Sequence, residues 1–256
     1  MKIGIIGRGT VGKAVYDGLE FLGHQMSFFD PAYEGSKLAD VLDAEVVFVS
    51  VPTNQLPNGD CDVSIVEQVI KELNLADYKG LIAIKSTVVP GTSDRLSTHF
   101  PNLRICSVPE FLRAKMALTD FTENHDLLII GSDREEDYAI VKKAHGFYPK
   151  HVACVKPVEA EIVKYFNNVH HAMQITFANI TADVCTKLGA NYMNVYHAIT
   201  QRDCINPHYL LSNKNARAYG GHCLPKDTAA WNNLIKQLGL DFGLIQSVIN
   251  DNEKFK

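Results

Sequence analysis

The sequence has no apolar run close to the ~20 residues that a membrane-spanning helix needs. Its N-terminus, MKIGIIGRG, enters a folding motif at once and lacks a signal-peptide core, so a cytoplasmic protein is expected. It also lacks a charge excess. Lys and Arg number 25 against 29 Asp and Glu, a net charge of −4, which gives no whole-molecule field for nucleic acid. An anionic ligand must then be held by a local cluster of Lys and Arg. Paired cysteines are missing as well. The six, Cys61, Cys106, Cys154, Cys185, Cys204 and Cys223, are scattered without CxxC or metal-type spacing. That predicts reduced thiols and no metal. His170 and His171 fall mid-helix with no carboxylate or Cys at ligand spacing. The lone Trp231 reads as a helix-packing residue. No repeat or low-complexity segment stands out.

What is present is ordinary for a globular fold. The chain has 256 residues, 46% hydrophobic and 21% charged, enough for one large domain or two smaller ones. Its first half alternates two kinds of pattern. Short β-branched runs at 2–6, 25–29, 45–51, 81–85, 103–108 and 126–131 predict strands. Amphipathic stretches at 10–22, 36–43, 62–74, 91–99 and 133–146 predict helices. The charged start of the last, DREEDY at 133–138, is expected to face solvent. Such alternation predicts an α/β fold, a doubly wound parallel sheet covered on both faces.

The pattern changes from Pro157. A helical run continues to Gly189, with Val163, Phe166, Val169, Met173, Phe177, Ile180 and Val184 spaced as one buried stripe. Shorter helices follow near 191–200, 226–237 and 242–254, with a polar loop at 201–222. The predicted division is a nucleotide-binding domain at 1–155 and an all-helical domain at 156–256.

GIIGRGTVG places Gly7, Gly9 and Gly12 as G-x-G-x-x-G, directly after a strand and opening a helix. Such glycines permit a tight turn and close approach of a pyrophosphate, which the helix N-terminus attracts. Asp30 ends the next strand. A carboxylate there accepts hydrogen bonds from a ribose 2′-hydroxyl and repels a 2′-phosphate, favouring NAD over NADP.

GGHCLPKD, at 220–227, sets a cysteine behind two glycines and ahead of Lys226 and Asp227. A structural Cys normally sits among hydrophobes. Cys223 has the neighbours of a nucleophile, although a half-buried turn thiol is the bland alternative. Lys164 and Asn168 are four apart, so they project from one helix face, beside the apolar stripe. Glu110 follows a predicted strand, where ligand sites of open α/β sheets lie. Thr87 also sits at a strand end, where a helix N-cap is the other reading.

Taken in order, GRGTVG, VPT (51–53), STVVPGT, PEFLR, EAEIVKYFNN and GGHCLPKDT resemble the motifs of the UDP-glucose/GDP-mannose dehydrogenase family. The resemblance implies a Rossmann-type domain followed by a 6-phosphogluconate-dehydrogenase-like helical domain. It implies NAD-dependent oxidation of a nucleotide-sugar C6 alcohol to the acid. Cys223 would be the nucleophile, Lys164 and Asn168 the oxyanion donors, Asp227 and Thr87 the proton handlers, and Glu110 the activator of hydrolytic water. Cofactor contacts would come from Gly7, Gly9, Val11, Gly12, Asp30, Thr53, Thr87 and Lys226. Substrate contacts would come from Glu110, Phe111, Leu112, Arg113, Lys164, Asn168, Tyr209 and Gly220.

It also implies a homodimer through the helical domain. The family's third domain has no counterpart in these residues. The loop before Cys223 departs from the family's glycine-rich pattern, and Ala114 and Lys115 replace its usual acidic residue and glycine. Arg202, Lys214 and Arg217 could supply charge to phosphates, or simply lie on the surface. Two rival readings remain: a β-hydroxyacid-type dehydrogenase working without a thiol, and an NAD-binding remnant without activity.

Overall fold

Continuous runs such as VVFV and LIAI are buried at every position, which requires cover on both faces of a sheet. The computed structural model describes residues 1–212 and 217–256, so Lys214 lies outside the described residues. Its strands are β1 (Lys2–Ile6), β2 (Gln25–Phe29), β3 (Val46–Val49), β4 (Leu81–Ile84), β5 (Arg104–Ser107), β6 (Leu127–Gly131) and β7 (His151–Val155). They form one seven-stranded sheet in the order β2-β1-β3-β4-β5-β6-β7. The first five run parallel, and β6 and β7 run parallel to each other.

The α/β class is as predicted, with one refinement. β6 meets β5 antiparallel, at Ser107 opposite Gly131. No full-length helix carries the chain back between these strands. The connection instead holds the short α4 (Ala117–Thr122), and the chain enters β6 from the opposite end.

Alternate strand residues serve two cores. Ile3, Ile5, Val46 and Phe48 pack against α1 (Thr10–Phe21), α4 and α5 (Glu135–His145). Val47, Val49, Ile82 and Ile84 pack against α2 (Ser64–Leu75) and α3 (Thr92–His99). The helix expected at 36–43 is only a 3₁₀ turn, Leu38–Val41. β7 and α4 were not expected. β7 is an edge strand with mostly exposed residues, so its sequence carries little burial pattern. In α5 the charged start does not wholly face solvent. Asp137 is buried, bonded to Ser132 and paired with Arg104.

The all-helical part holds α6 (Pro157–Lys187), α7 (Tyr192–Ile199), α8 (Cys223–Gln237) and α9 (Leu244–Glu253). Packing divides the chain into two units: Met1–Asn54 with Asp62–Lys164, and Gln55–Cys61 with Tyr165–Lys256. The composition change near 155 and this division differ because the first turns of α6 pack on the sheet unit. Glu161 accepts hydrogen bonds from the Gly91 and Ser93 amides at 2.6 and 2.9 Å.

The buried side of α6 corrects the predicted stripe. Val169 is buried as expected and Val163 and Met173 are half-buried, but Phe166, Phe177, Ile180 and Val184 are exposed, while Tyr165, Asn168, Ala172, Thr176 and Asn179 are buried. The polar members of this face are partnered. Thr176 donates to the Ala172 carbonyl at 2.9 Å, and Asn179 bonds to Arg217 and Ser212. Partnered polar groups can occupy an interior without the loss an unpaired one incurs. Asn168 therefore lies within the buried face, not beside it.

Candidate active site

The Gly7–Gly12 turn lies at the carboxyl end of β1. Strand order reverses between β1 and β3, the position where open α/β sheets bind ligands. Gly7 has φ +86°, and a Cβ there would meet the Ser50 carbonyl oxygen at 2.6 Å. A Cβ on Gly12 would meet the Gly7 oxygen at 1.8 Å. Nothing lies within 4 Å of a Cβ built at Gly9. The turn is therefore closed behind and open in front. α1 starts at Thr10 with no side-chain cap, and Val11 is half-buried in its first turn. Its first amides stay available to an anion.

Asp30 accepts from the Arg8 amide at 2.6 Å and the Ala32 amide at 2.9 Å, which fixes its carboxylate beside the turn. The Arg8 guanidinium lies 4.4 Å from the ring centres of both Tyr16 and Phe28. Thr53 is buried beyond β3. The open cradle, the uncapped helix start and the fixed carboxylate fit a dinucleotide.

The same unit carries Glu110 and Lys164. Glu110 is buried, and its Oε2 lies 2.8 Å from Lys85 Nζ. Burial pushes the Glu110 carboxyl up, but Lys85, aided by His125 and the Phe111 amide, holds it below the ordinary carboxylate range. Lys164 Nζ donates to the Glu110 main-chain oxygen at 2.6 Å and lies 5.1 Å from the Phe111 ring centre. Thr87 and Leu112 are half-buried. Arg113 is engaged by Asp120, at 2.9 Å through Nε and 2.6 Å through Nη2. Its guanidinium thus fastens the loop that carries PEFLR.

The second unit carries the cysteine. Cys223 is exposed and is the first residue of α8, where a loop position was expected. Asp227, one turn later, is buried. Asn168 donates to its Oδ2 at 2.5 Å, and Lys226 Nζ lies 2.6 Å from its Oδ1. Lys226 also lies 3.7 Å from Cys61 Sγ. Burial alone would lower the Lys226 ammonium's pKa, but Asp227 and Cys61 outweigh it and the net direction is upward. Lys226, expected at the cofactor, is engaged here by Asp227 and Cys61.

Tyr209 has φ +65° and stacks on His171 with ring centres 4.0 Å apart, and Gly220 is exposed. Trp231 stacks on Tyr165 at 5.8 Å, the packing role expected of it. A groove of about 590 Å³ lies elsewhere in this unit, lined by Ile180, Val184, Leu188 and Phe255 among others, with none of the predicted site residues.

The structure thus brings Glu110 and Lys164 together in one unit, and Asn168, Asp227 and Lys226 together in the other. Two residues were missed. Lys85 had a signal, a charge closing the apolar run LIAIK. Cys61 had none in its spacing.

A glycine turn with a carboxylate fixed beside it, and a helical unit with a cysteine at a helix start, are the parts expected of a dinucleotide-dependent oxidoreductase. Two family models match the chain. The UDP-glucose/GDP-mannose dehydrogenase family NAD binding domain covers residues 34–148, and the same family's central domain covers 158–254. The chain belongs to the UDP-glucose/GDP-mannose dehydrogenase family, and NAD is its cofactor.

It is 29% identical to the UDP-glucose 6-dehydrogenase of Rickettsia prowazekii over 99% of this chain and 67% of that protein. It is 29% identical to the GDP-mannose 6-dehydrogenase of Pseudomonas aeruginosa over 83% of this chain and 51% of that one. A solved UDP-glucose dehydrogenase from the archaeon Pyrobaculum islandicum matches with TM-score 0.89 and 27% identity, covering 99% of this chain and 68% of its own. The chain spans at most about two thirds of the length of these relatives.

Proposed function

We propose that the protein oxidises the C6 alcohol of a nucleotide sugar, UDP-glucose or a close analogue, to the acid in a four-electron reaction. The observation that carries this reading is the buried Asn168–Asp227–Lys226 cluster directly behind Cys223 at the start of α8. A cysteine needed only for packing has no use for a carboxylate held by two partners one turn away. The Gly7–Gly12 turn and Asp30 would hold NAD, which would serve as hydride acceptor for both oxidations.

Asp227, with Thr87, takes the alcohol proton through water in the first oxidation. The Cys223 sulfur then bonds to the aldehyde carbon, and the carbonyl oxygen becomes the thiohemiacetal hydroxyl. Lys164 and Asn168 donate to that oxygen as charge develops. Loss of a second hydride and a proton leaves a thioester on Cys223. Glu110 draws a proton from water, the hydroxide adds, the carbon–sulfur bond breaks, and the acid and free thiol are released.

Incubation with NAD and a panel of UDP- and GDP-sugars, counting NADH per sugar consumed, tests this. Two NADH per sugar is expected. One per sugar points to a single-hydride dehydrogenase, and none with any sugar points to a binding remnant. We further propose a homodimer through the exposed apolar face of α6, and a reducing cytoplasmic setting that suits six free thiols.

A further inference from the structure

Lys85 follows the last residue of β4 and is driven into the sheet unit. Its side chain is 0% exposed and its Nζ lies 2.8 Å from Glu110 Oε2. The Phe48 and Phe121 ring centres lie 5.4 and 5.7 Å from that Nζ. A buried ion pair inside a largely apolar shell is weak evidence for stability, because desolvation offsets the attraction. Its place next to PEFLR suggests another use. We propose that Lys85 is a positioning residue for this chemistry: its ammonium holds the Glu110 carboxylate, and through the Glu110 peptide it fixes the ammonium of Lys164. This rests on the roles given above to Glu110 and Lys164.

Two lysines hold one residue at two different atoms. Lys85 takes the Glu110 side chain, and Lys164 donates to the Glu110 main-chain oxygen at 2.6 Å.

Besides Lys164, the titratable groups near this pair include His125, His145 and Cys106. Burial drives His125 down and His145 far down, and it drives the Cys106 thiol up. Each of these shifts disfavours the charged form of its group. The Nδ1 atoms of His125 and His145 bond to the Phe121 and Val141 carbonyls, which ties the first ring to the preceding α4 and the second to its own helix α5. His24 and Asp126 act only on the histidines. Lys85 Nζ touches the Glu110 carboxylate directly, while Lys164 Nζ meets the main-chain oxygen of the same residue. A carboxylate can draw a proton from water, and a carboxylic acid cannot.

Infrared difference spectra between the wild type and Glu110→Gln read the Glu110 proton without needing turnover. The wild type is expected to show no protonated Glu110 at about pH 5, where a buried carboxyl without a cation holds its proton. Lys85→Met is expected to show the protonated band at neutral pH, and Lys85→Arg to remove it again. In turnover, Lys85→Met should move the acid limb of acid formation upward by roughly one pH unit or more, a change that a merely structural role would not produce.

If Lys85→Met does not fold, the wild-type and Lys85→Arg spectra decide. A protonated Glu110 in the wild type at that pH overturns the proposal. So does a Lys85→Met profile that superimposes on the wild type's. A wild type with no turnover on any nucleotide sugar refutes the proposed function, while the spectra still judge Lys85.

Discussion

Cys223 and Asp227 stand one helical turn apart in opposite environments, the thiol exposed and the carboxylate buried. Exposure suits a group that must reach an incoming aldehyde. Burial suits one that must keep a fixed geometry. Because the Cys223 side chain supports no core packing, Cys223→Ala is expected to keep the melting temperature while acid formation falls by roughly a thousandfold or more, the scale of losing a covalent route. Acid production near the wild-type rate, followed by chromatography of the sugar product, would refute the thioester path. Asn168 is different, because its amide donates to a buried carboxylate oxygen. Asn168→Ala leaves that oxygen short of a partner, and a loss of about 1–3 kcal/mol is expected. Urea denaturation at neutral pH measures it. A change under about 0.5 kcal/mol, ordinary for a surface position, would show that Asp227 does not depend on Asn168.

At the scale of elements, the β1–α1 turn is set by contact distances that leave no room for a side chain. Gly12→Ala forces a methyl group to within 1.8 Å of the Gly7 oxygen, so the turn must open. NAD affinity is expected to fall at least about tenfold, equivalent to about 1.4 kcal/mol, in calorimetric titration. Unchanged affinity would place the cofactor elsewhere. The loop carrying PEFLR has its own fastening. Arg113 holds the Asp120 carboxyl down to about 2, from its side chain first and then its main-chain amide. A carboxyl depressed in the folded state adds stability above its unfolded value, and loses it as pH falls through the folded value. The stability gap between wild type and Asp120→Asn should stay constant above about pH 5 and close by about pH 2. A gap independent of pH in acid-denaturation curves would remove the ion pair from the account. These elements also mark where sequence reading works. The β1 turn was legible because glycine spacing encodes local geometry. VVFV and LIAI were legible because strands buried on both faces read as unbroken apolar runs. β7 and α4 were not, since one is an exposed edge and the other a single short helix. The α6 face was misjudged because apolar spacing finds apolar residues, whereas Asn168, Thr176 and Asn179 are buried by virtue of partners contributed by tertiary structure. The Lys85–Glu110 pair was hidden for the same reason. Its members are 25 residues apart, and only the sheet brings them together.

At the scale of the molecule, α6 presents Phe166, Phe177, Ile180 and Val184 to solvent, with Leu188 just past its end, and Phe177 is 67% and Leu188 78% exposed. Single exposed apolar residues need no explanation, but several on one helix mark a surface that benefits from cover. A second copy of the chain is the cover proposed here. In a two-fold interface each residue is counted twice, so one substitution acts on both protomers. Burying a phenylalanine side chain is worth about 1.5–3 kcal/mol, so Phe177→Glu should cost a dimer at least about 3–6 kcal/mol. That is roughly a hundredfold to ten-thousandfold in the dissociation constant. Sedimentation at micromolar protein should then find the wild type dimeric and Phe177→Glu monomeric, with equal helical circular dichroism because most of this residue faces away from its own chain. A wild type that sediments as a monomer through the micromolar range, or a Phe177→Glu variant that stays dimeric, would mean that this face does not join two copies.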